Sequence, residues 1–272
     1  MQNSYIVVLG NEKGGTGKST VSMHVITSLL RQGYSVASID VDARQGTLSR
    51  YVENRKIRAA QNPTQHLPLP THFPLFRSEK SNVEEAQAED SENLTKLLEE
   101  LKGHDYIVID TPGSDMYLSR LAHSYADTLI TPLNDSFIDL DMLARLNPDT
   151  LEIIKPSTYS EMVWEQKKQR AMRDRRSMDW IVLRNRLGAV NSRNKEEVHQ
   201  VLSGLAKRIG FRLVPGFGER VIFRELFLDG ITLLDLKETK TAMSLSHIAA
   251  RQELNQLLEL IQIPKQNKKI AV

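Results

Sequence analysis

Tyr5-Ile6-Val7-Val8-Leu9, followed by GNEKGGTGKST at Gly10–Thr20, is the stretch that decides the fold. An apolar run without alternation predicts a buried strand. The glycine-rich segment after it opens into a helical pattern, which is the context a phosphate-binding loop requires. Gly14, Gly15 and Gly17 lack Cβ atoms, so successive backbone N–H groups around Thr16 can converge on phosphate oxygens. Lys18 supplies a mobile cation, Ser19 a hydroxyl for Mg²⁺, and Thr20 a second hydroxyl at the helix start. The loop implies a nucleoside triphosphate. The ordinary spacing GxxxxGK[ST] would put glycine at position 12, where this chain has Glu12, and a second lysine, Lys13, stands before the glycine pair. Glycine-rich loops with a lysine also occur as plain strand–helix turns, but strand, KGG, GKST and helix in one run argue against that reading.

Two acidic segments extend the candidate site. SVASIDVDARQ sets Asp40 and Asp42 at the carboxyl end of a second strand, where an acid can orient water or a hydrated Mg²⁺. IVIDTPG ends in Asp110, with Gly113 three positions later. This is the Walker B pattern, in which the aspartate meets Mg²⁺ through water and the glycine can approach a γ-phosphate. A single strand-end aspartate can merely cap a turn; three segments in this order make coincidence a poor explanation. LRNRL closes a late strand with Asn185, whose amide can donate to and accept from an adenine edge, with Arg186 beside it. The backbone around Pro215 is a second candidate for the base pocket.

Composition narrows the class. The chain has 272 residues and 36 Lys and Arg against 34 Asp and Glu, a formal charge of +2, so any basic surface must be a local patch. Cysteine is absent, which excludes disulfides, thiolate metal sites and iron–sulfur clusters. The seven histidines form no HExxH-like pair, and the only metal expected is Mg²⁺. No apolar run reaches the roughly 18 residues of a membrane span, and the N-terminus enters a strand without a charged leader. A soluble, cytoplasmic protein is expected.

Strands are expected at Tyr5–Leu9, Ser35–Ile39, Tyr106–Ile109, Thr128–Thr131, Trp180–Leu183 and Phe211–Val214, with helices between them, for example Lys18–Arg31, Leu118–Tyr125 and Asn194–Ile209. Val/Ile-dense strands with little alternation predict a doubly wound, mostly parallel α/β sheet with helices on both faces and the site at the strands' carboxyl ends. One domain over 1–272 is expected, with a short basic tail at 264–272. Residues 62–93 break the rhythm: Pro63, Pro68, Pro70 and Pro74 interrupt helices and Glu84, Glu85, Glu89, Asp90 and Glu92 form an acidic run. They read as a surface insertion with a mobile part, either a solvated loop or a lid. EQKKQRAMRDRR, Glu165–Arg176, holds six basic residues in twelve and reads either as a solvated helix or as a polyanion-binding one. The terminal helix, Ser246–Ile261, carries Leu254, Leu257, Leu258 and Ile261 on one side and lacks the basic face and bulky aromatic of a membrane anchor, so packing against the sheet is expected.

KGGTGKST preceded by Glu12 resembles the deviant phosphate loop of the ParA/MinD family of P-loop ATPases. Longer stretches, GNEKGGTGKST, TPLNDSFIDLDML, KQRA, MDWIVLRNRL, LAKRIGFR and RELFLDGITLLDL, resemble the MipZ family within it. The likeness covers nearly the whole chain and is weakest at about 62–93. It implies ATP and ADP as ligands with Mg²⁺, and a catalytic set of Lys13, Lys18 and Asp42. Lys13 would reach across a dimer interface to the partner's nucleotide, Asp42 would position the attacking water, Asp40 would help hold the Mg²⁺ shell, and Asn185 would contact adenine. It further implies a monomer when free or ADP-bound, a homodimer with ATP, and slow ATP hydrolysis. Non-specific DNA, a ParB-like partitioning protein and FtsZ, whose polymerisation it would inhibit, are the implied partners, with a nucleoid-associated location toward the cell poles and no stable membrane insertion. The candidate DNA-binding group is Arg193, Lys195, Lys207, Arg208, Arg212 and Arg220, weakened by Glu196 and Glu197 within it. A ParA-type partitioning ATPase, a MinD-type membrane switch and an ATP-dependent ligase or kinase are the rival readings.

Overall fold

The computed structural model describes residues 4–41, 44–147, 149–185, 193–218, 221–239 and 244–265. In the first half the order is β1 (Tyr5–Leu9), α1 (Lys18–Arg31), β2 (Val36–Asp40), α2 (Thr47–Gln61), β3 (Thr71–Pro74), α3 (Val83–Glu100), β4 (Tyr106–Asp110), α4 (Tyr117–Ser124) and β5 (Thr128–Asn134). There follow α5 (Phe137–Leu140), β6 (Ala144–Leu146), β7 (Ile153–Pro156), α6 (Thr158–Asp174), β8 (Asp179–Asn185), α7 (Arg193–Leu205), β9 (Arg212–Val214), α8 (Ile222–Leu228) and α9 (Leu245–Ile261). Seven strands form one sheet in the order β3-β2-β4-β1-β5-β8-β9, and every pairing in it is parallel. β6 and β7 form a separate antiparallel pair.

Side chains alternate across the sheet and so feed two cores. Val7 and Leu9 pack with Val21, Val25, Tyr51 and Leu254 on the face of α1, α2 and α9. Val8, Ile107 and Ile109 pack with Leu94, Leu118, Val163 and Leu202 on the face of α3, α4, α6 and α7. The terminal helix lies on the first face, with Leu254, Leu257 and Ile261 at 1%, 1% and 0% exposure. β1, placed between β4 and β5, carries the glycine loop at the middle of the sheet's carboxyl edge.

Part of the segment expected as a loop, 62–93, is regular secondary structure, with loop left at 66–70 and 75–82. Thr71–Pro74 is the edge strand β3, where a proline costs little because the outer edge needs no N–H donor. The acidic run belongs to α3: the Asn82 side chain accepts from the backbone N–H of Glu84 and Glu85, and both glutamates sit in the first turn, where the helix dipole favours them. Asp90 is buried and accepts from the Ser78 backbone at 2.6 Å, and Glu92 pairs with Lys96 at 2.6 Å. The helix expected to run on to Ile209 stops at Leu205, and a π turn at Ala206–Gly210 follows it.

The basic run at Glu165–Arg176 is largely structural. Arg170, 3% exposed, pairs with Asp127 and donates to the Tyr125 carbonyl. Arg173 lies over the Tyr125 ring and donates to the Ser124 carbonyl at 2.8 Å, and Lys167 donates to the Gly210 carbonyl at 3.1 Å.

Candidate functional site

At the end of β1 the chain leaves the sheet through Gly10, whose N–H donates to the Ile130 carbonyl at 2.9 Å and whose carbonyl accepts from the Tyr159 hydroxyl at 2.9 Å. The loop then turns into α1 at Gly17, which has φ 89° and sits at the helix N-cap. That backbone requires glycine, and no side chain caps the helix, so the first-turn N–H groups remain available to an anion on the axis of α1. Lys18 is 7% exposed and its Nζ donates to the Lys13 carbonyl at 3.0 Å, which holds the ammonium inside the loop. Gly113 lies against the same loop: a Cβ there would fall 2.7 Å from the Cα and N of Gly14.

The strand register places Asp40 opposite Asp110 at the ends of β2 and β4. Asp110 is 2% exposed and accepts from the Ser19 hydroxyl at 2.6 Å and the Ser22 hydroxyl at 2.9 Å. Burial pushes its carboxyl up to about 7; the nearby Asp40 charge adds to the rise, and the two serines and Lys18 oppose it. Asp40 is fully buried, and its Oδ2 accepts from both the backbone N–H and the hydroxyl of Ser49, each at 2.8 Å. His72 of β3 bonds the Ser49 hydroxyl at 3.0 Å and the Ser38 hydroxyl at 2.9 Å. Two buried carboxylates and a serine hydroxyl converging beside an anion-binding loop are a hard-oxygen donor set that fits Mg²⁺. Ser49 and His72 follow no readable spacing; their role shows only once β3 is in the sheet.

Lys13 of the same loop meets a carboxylate at the start of α5. Its Nζ lies 2.7 Å from Asp139 Oδ1, and Asp139 Oδ2 accepts from the Ser136 hydroxyl at 2.6 Å. The lysine side chain is 37% exposed against 5% for the aspartate. Glu12 is half-buried, and burial, with the Asp115 charge adding, pushes its carboxyl up.

Asn185 ends β8 at 5% exposure, and its Nδ2 donates to the Thr16 carbonyl at 2.7 Å. It therefore touches the phosphate loop directly, and a Cβ on Gly17 would lie 2.3 Å from that nitrogen. A cavity of about 440 Å³ opens here, lined by Gly17, Thr20 and Asn185 on one side and Phe217, Phe223 and Phe227 on the other. Pro215 does not line it; Phe217 and Gly218, just beyond, do. The aromatic wall from α8 was not legible, because its phenylalanines sit at ordinary core spacing.

Only half of the candidate DNA group, Lys207, Arg208 and Arg212, has side chains among the described residues. Arg212 pairs with Asp179 at 2.7 Å and donates to the carbonyls of Leu260 and Ile261 at 3.0 and 2.7 Å, closing the C-terminus of α9. Arg208 and Lys207 are exposed. Asp42, Arg186, Arg220 and the side chains of Arg193 and Lys195 lie outside the described residues, as does the tail beyond Lys265.

Comparison with known proteins gives the family and the fold. The family described as ATPase MipZ matches residues 5–265. The chromosome partitioning protein ParA of Myxococcus xanthus is 25% identical over 180 residues, 59% of this chain and 62% of that protein. An ATP complex of McdA from Cyanothece superposes with a TM-score of 0.65 at 19% identity, covering 98% of this chain and 100% of that one. MinD of Pyrococcus horikoshii OT3 with Mg-ADP gives 0.57 at 18% identity, covering 95% and 96%. The chain spans 22%, 62% and 48% of the lengths of three curated relatives, that ParA among them. The two structural likenesses speak for the fold; the family match, which runs from β1 to the end of α9, places the chain in the MipZ family of ParA/MinD-type ATPases.

Proposed function

We propose that this protein is a nucleotide-gated dimerisation switch with slow ATP hydrolysis. The observation that carries the reading is the contrast between two lysines of one loop. Lys18 is buried and turned inward, whereas Lys13 is partly exposed and held at its own subunit's surface by a single carboxylate. Lys18 serves the nucleotide of its own subunit. Lys13 is placed to exchange Asp139 for a phosphate presented by a second copy, which makes ATP part of the interface.

Within each subunit the Gly14–Thr20 backbone and Lys18 hold the phosphates. Ser19, Asp110 and Asp40 would hold Mg²⁺, the aspartates through water, and the ion would supply positive charge against the phosphates. Asn185 and Phe217 face the base, and Arg186 is assigned beside them. Gly113 follows the γ-phosphate, and Asp42 orients the attacking water. A slow reaction turns dimer lifetime into a timer. In the cell the dimer binds DNA without sequence preference, associates with a ParB-like partitioning protein and restrains FtsZ polymerisation, and so places the division site away from its source.

The test is the mass in solution by light scattering with a non-hydrolysable ATP analogue. Wild type should double its mass, Lys13→Ala should remain a monomer while still binding nucleotide, and Asp42→Ala in ATP should accumulate as dimer. A nucleotide-loaded wild type that remains monomeric would overturn the reading and favour an enzyme acting on a small molecule.

A further inference from the structure

The β6–β7 hairpin breaks three local rules within a short stretch. Arg145 and Lys155 stand directly opposite each other across the antiparallel pair, both exposed, an arrangement of like charges that destabilises a hairpin. The register shifts next to Arg145, so that Ile154 is the extra residue of a bulge, and it is 55% exposed. Leu151, in the connecting turn, has φ 56°, a conformation that a branched side chain rarely adopts. The turn is otherwise well made: Asn147 Oδ1 accepts from the backbone of Asp149 and Thr150 at 2.9 and 3.1 Å. Local violations that fold stability does not explain concentrate at functional surfaces.

The hairpin is fastened to its surroundings. The Leu143 carbonyl accepts from the Ser157 backbone at 3.1 Å and from the Ser160 hydroxyl at 2.7 Å. Arg208 Nη1 donates to the Ile153 carbonyl at 3.1 Å, which ties the π turn that carries Lys207 and Arg208 to the hairpin. Trp164 of α6 donates to the Ile209 carbonyl at 3.2 Å and leaves 48% of its surface exposed. The acids nearest in sequence are Asp149, Glu152, Glu161 and Glu165, the last paired with Lys168 at 2.6 Å. Among the described residues none of them forms an ion pair with Arg145, Lys155, Lys207 or Arg208.

We propose that the β6–β7 hairpin, with Trp164, Lys207 and Arg208, is a docking surface for an acidic protein segment that carries an apolar side chain. Four cations with no ion pair among the described residues supply the charge complementarity, and exposed Ile154 and Trp164 supply the apolar anchor points. The small β6–β7 sheet offers a strand edge for an extended chain. The segment neutralises the Arg145–Lys155 repulsion, so the cost of that pair in the free protein is recovered on binding.

The inference is independent of the nucleotide reading and is tested without nucleotide. The probe is a short fluorescein-labelled peptide rich in Asp and Glu with one Leu and one Phe, followed by anisotropy. Controls are the same peptide with serine for Leu and Phe, and a lysine counterpart. Wild type should bind the first peptide, more weakly as salt rises, and the second less tightly. The double variant Arg145→Glu/Lys155→Glu should lose at least about tenfold in affinity, with binding of fluorescent ATP unchanged. Arg145→Glu alone converts repulsion into attraction and should raise Tm by about 1–3 °C. No binding of the acidic peptide at low salt, equal binding of the lysine peptide, or indifference to the double substitution overturns the proposal. Loss of duplex DNA or anionic-vesicle binding by the double variant, with peptide binding retained, also overturns it, and gives the surface to phosphates. A fall in Tm for Arg145→Glu would mean that the like-charge pair serves the fold.

Discussion

Two buried aspartates show how the same residue serves structure in one region and chemistry in another. Asp235 is fully buried behind α1 and α2, bonded to Arg55 at 2.7 Å and 3.0 Å and to Arg31 at 2.7 Å. Burial pushes its carboxyl up, but hydrogen bonds and charge from Arg55, then Arg31, outweigh this and hold it well below the usual carboxylate range. Asp110, 2% exposed at the end of β4, has two serine hydroxyls and a facing carboxylate, and burial holds it up at about 7. One acid brings its cations from the chain. The other has hydroxyls and a facing carboxylate, with Lys18 too weak to offset burial, an arrangement expected of a site more than of a strut.

Removing each carboxylate in turn separates the two roles. Asp235→Ala leaves the fully buried Arg55 unpaired and should cost about 3–5 kcal/mol in urea unfolding. If the loss were under about 1 kcal/mol, Asp235 would not be the strut described. Asp110→Asn should leave the nucleotide-free protein at least as stable at pH 7, yet weaken Mg²⁺-dependent nucleotide binding about 10- to 100-fold by calorimetry. Equal loss of folding stability in the two variants would erase the distinction.

The pH profile sharpens it further. Burial holds His24, His72 and His123 at about 4, so the unfolded chain binds more protons than the folded one between about pH 4 and 6.5, and stability rises with pH there. Asp110 acts in the opposite sense: held at about 7 when folded, it keeps a proton that the unfolded chain has lost, and its contribution falls as pH rises from about 4 to 7. Asp110→Asn should therefore steepen the rise in stability across that window, by about one proton in the slope. An unchanged slope would place Asp110 outside the electrostatics described.

The smallest effect belongs to a third carboxylate. Asp139 holds Lys13 in a half-exposed pair, worth about 0–1 kcal/mol. Asp139→Asn should strengthen ATP-dependent dimerisation by a few-fold at most, about 2- to 5-fold by sedimentation. Weaker dimerisation would assign Asp139 to the interface itself.

The phosphate side was legible in the sequence because its constraints are local. Gly17, Lys18 and Ser19 are neighbours in the chain, and Asp110 closes an unbroken apolar strand. What stayed hidden depends on partners far away in sequence. β3 is a four-residue edge strand in a proline-rich stretch that reads as loop, and only pairing with β2 reveals it. The Ser49–His72 support of Asp40 exists only after that pairing. Arg212 read as a surface charge, because nothing local shows that the end of α9 arrives above it. The β6–β7 hairpin was missed for another reason: its cross-strand charges and bulge violate the patterns by which hairpins are read.

Mixing two inactive variants tests whether Lys13 acts on the nucleotide of the other subunit. Lys13→Ala keeps its own phosphate site but lacks the bridging lysine; Lys18→Ala lacks the phosphate site but keeps Lys13. Each alone should be monomeric and without ATPase activity. Mixed, they should form a heterodimer that hydrolyses ATP at its single competent site. A mixture that stays monomeric and inactive, while each variant remains folded and Lys13→Ala binds ATP, would contradict the account and return Lys13 to its own subunit.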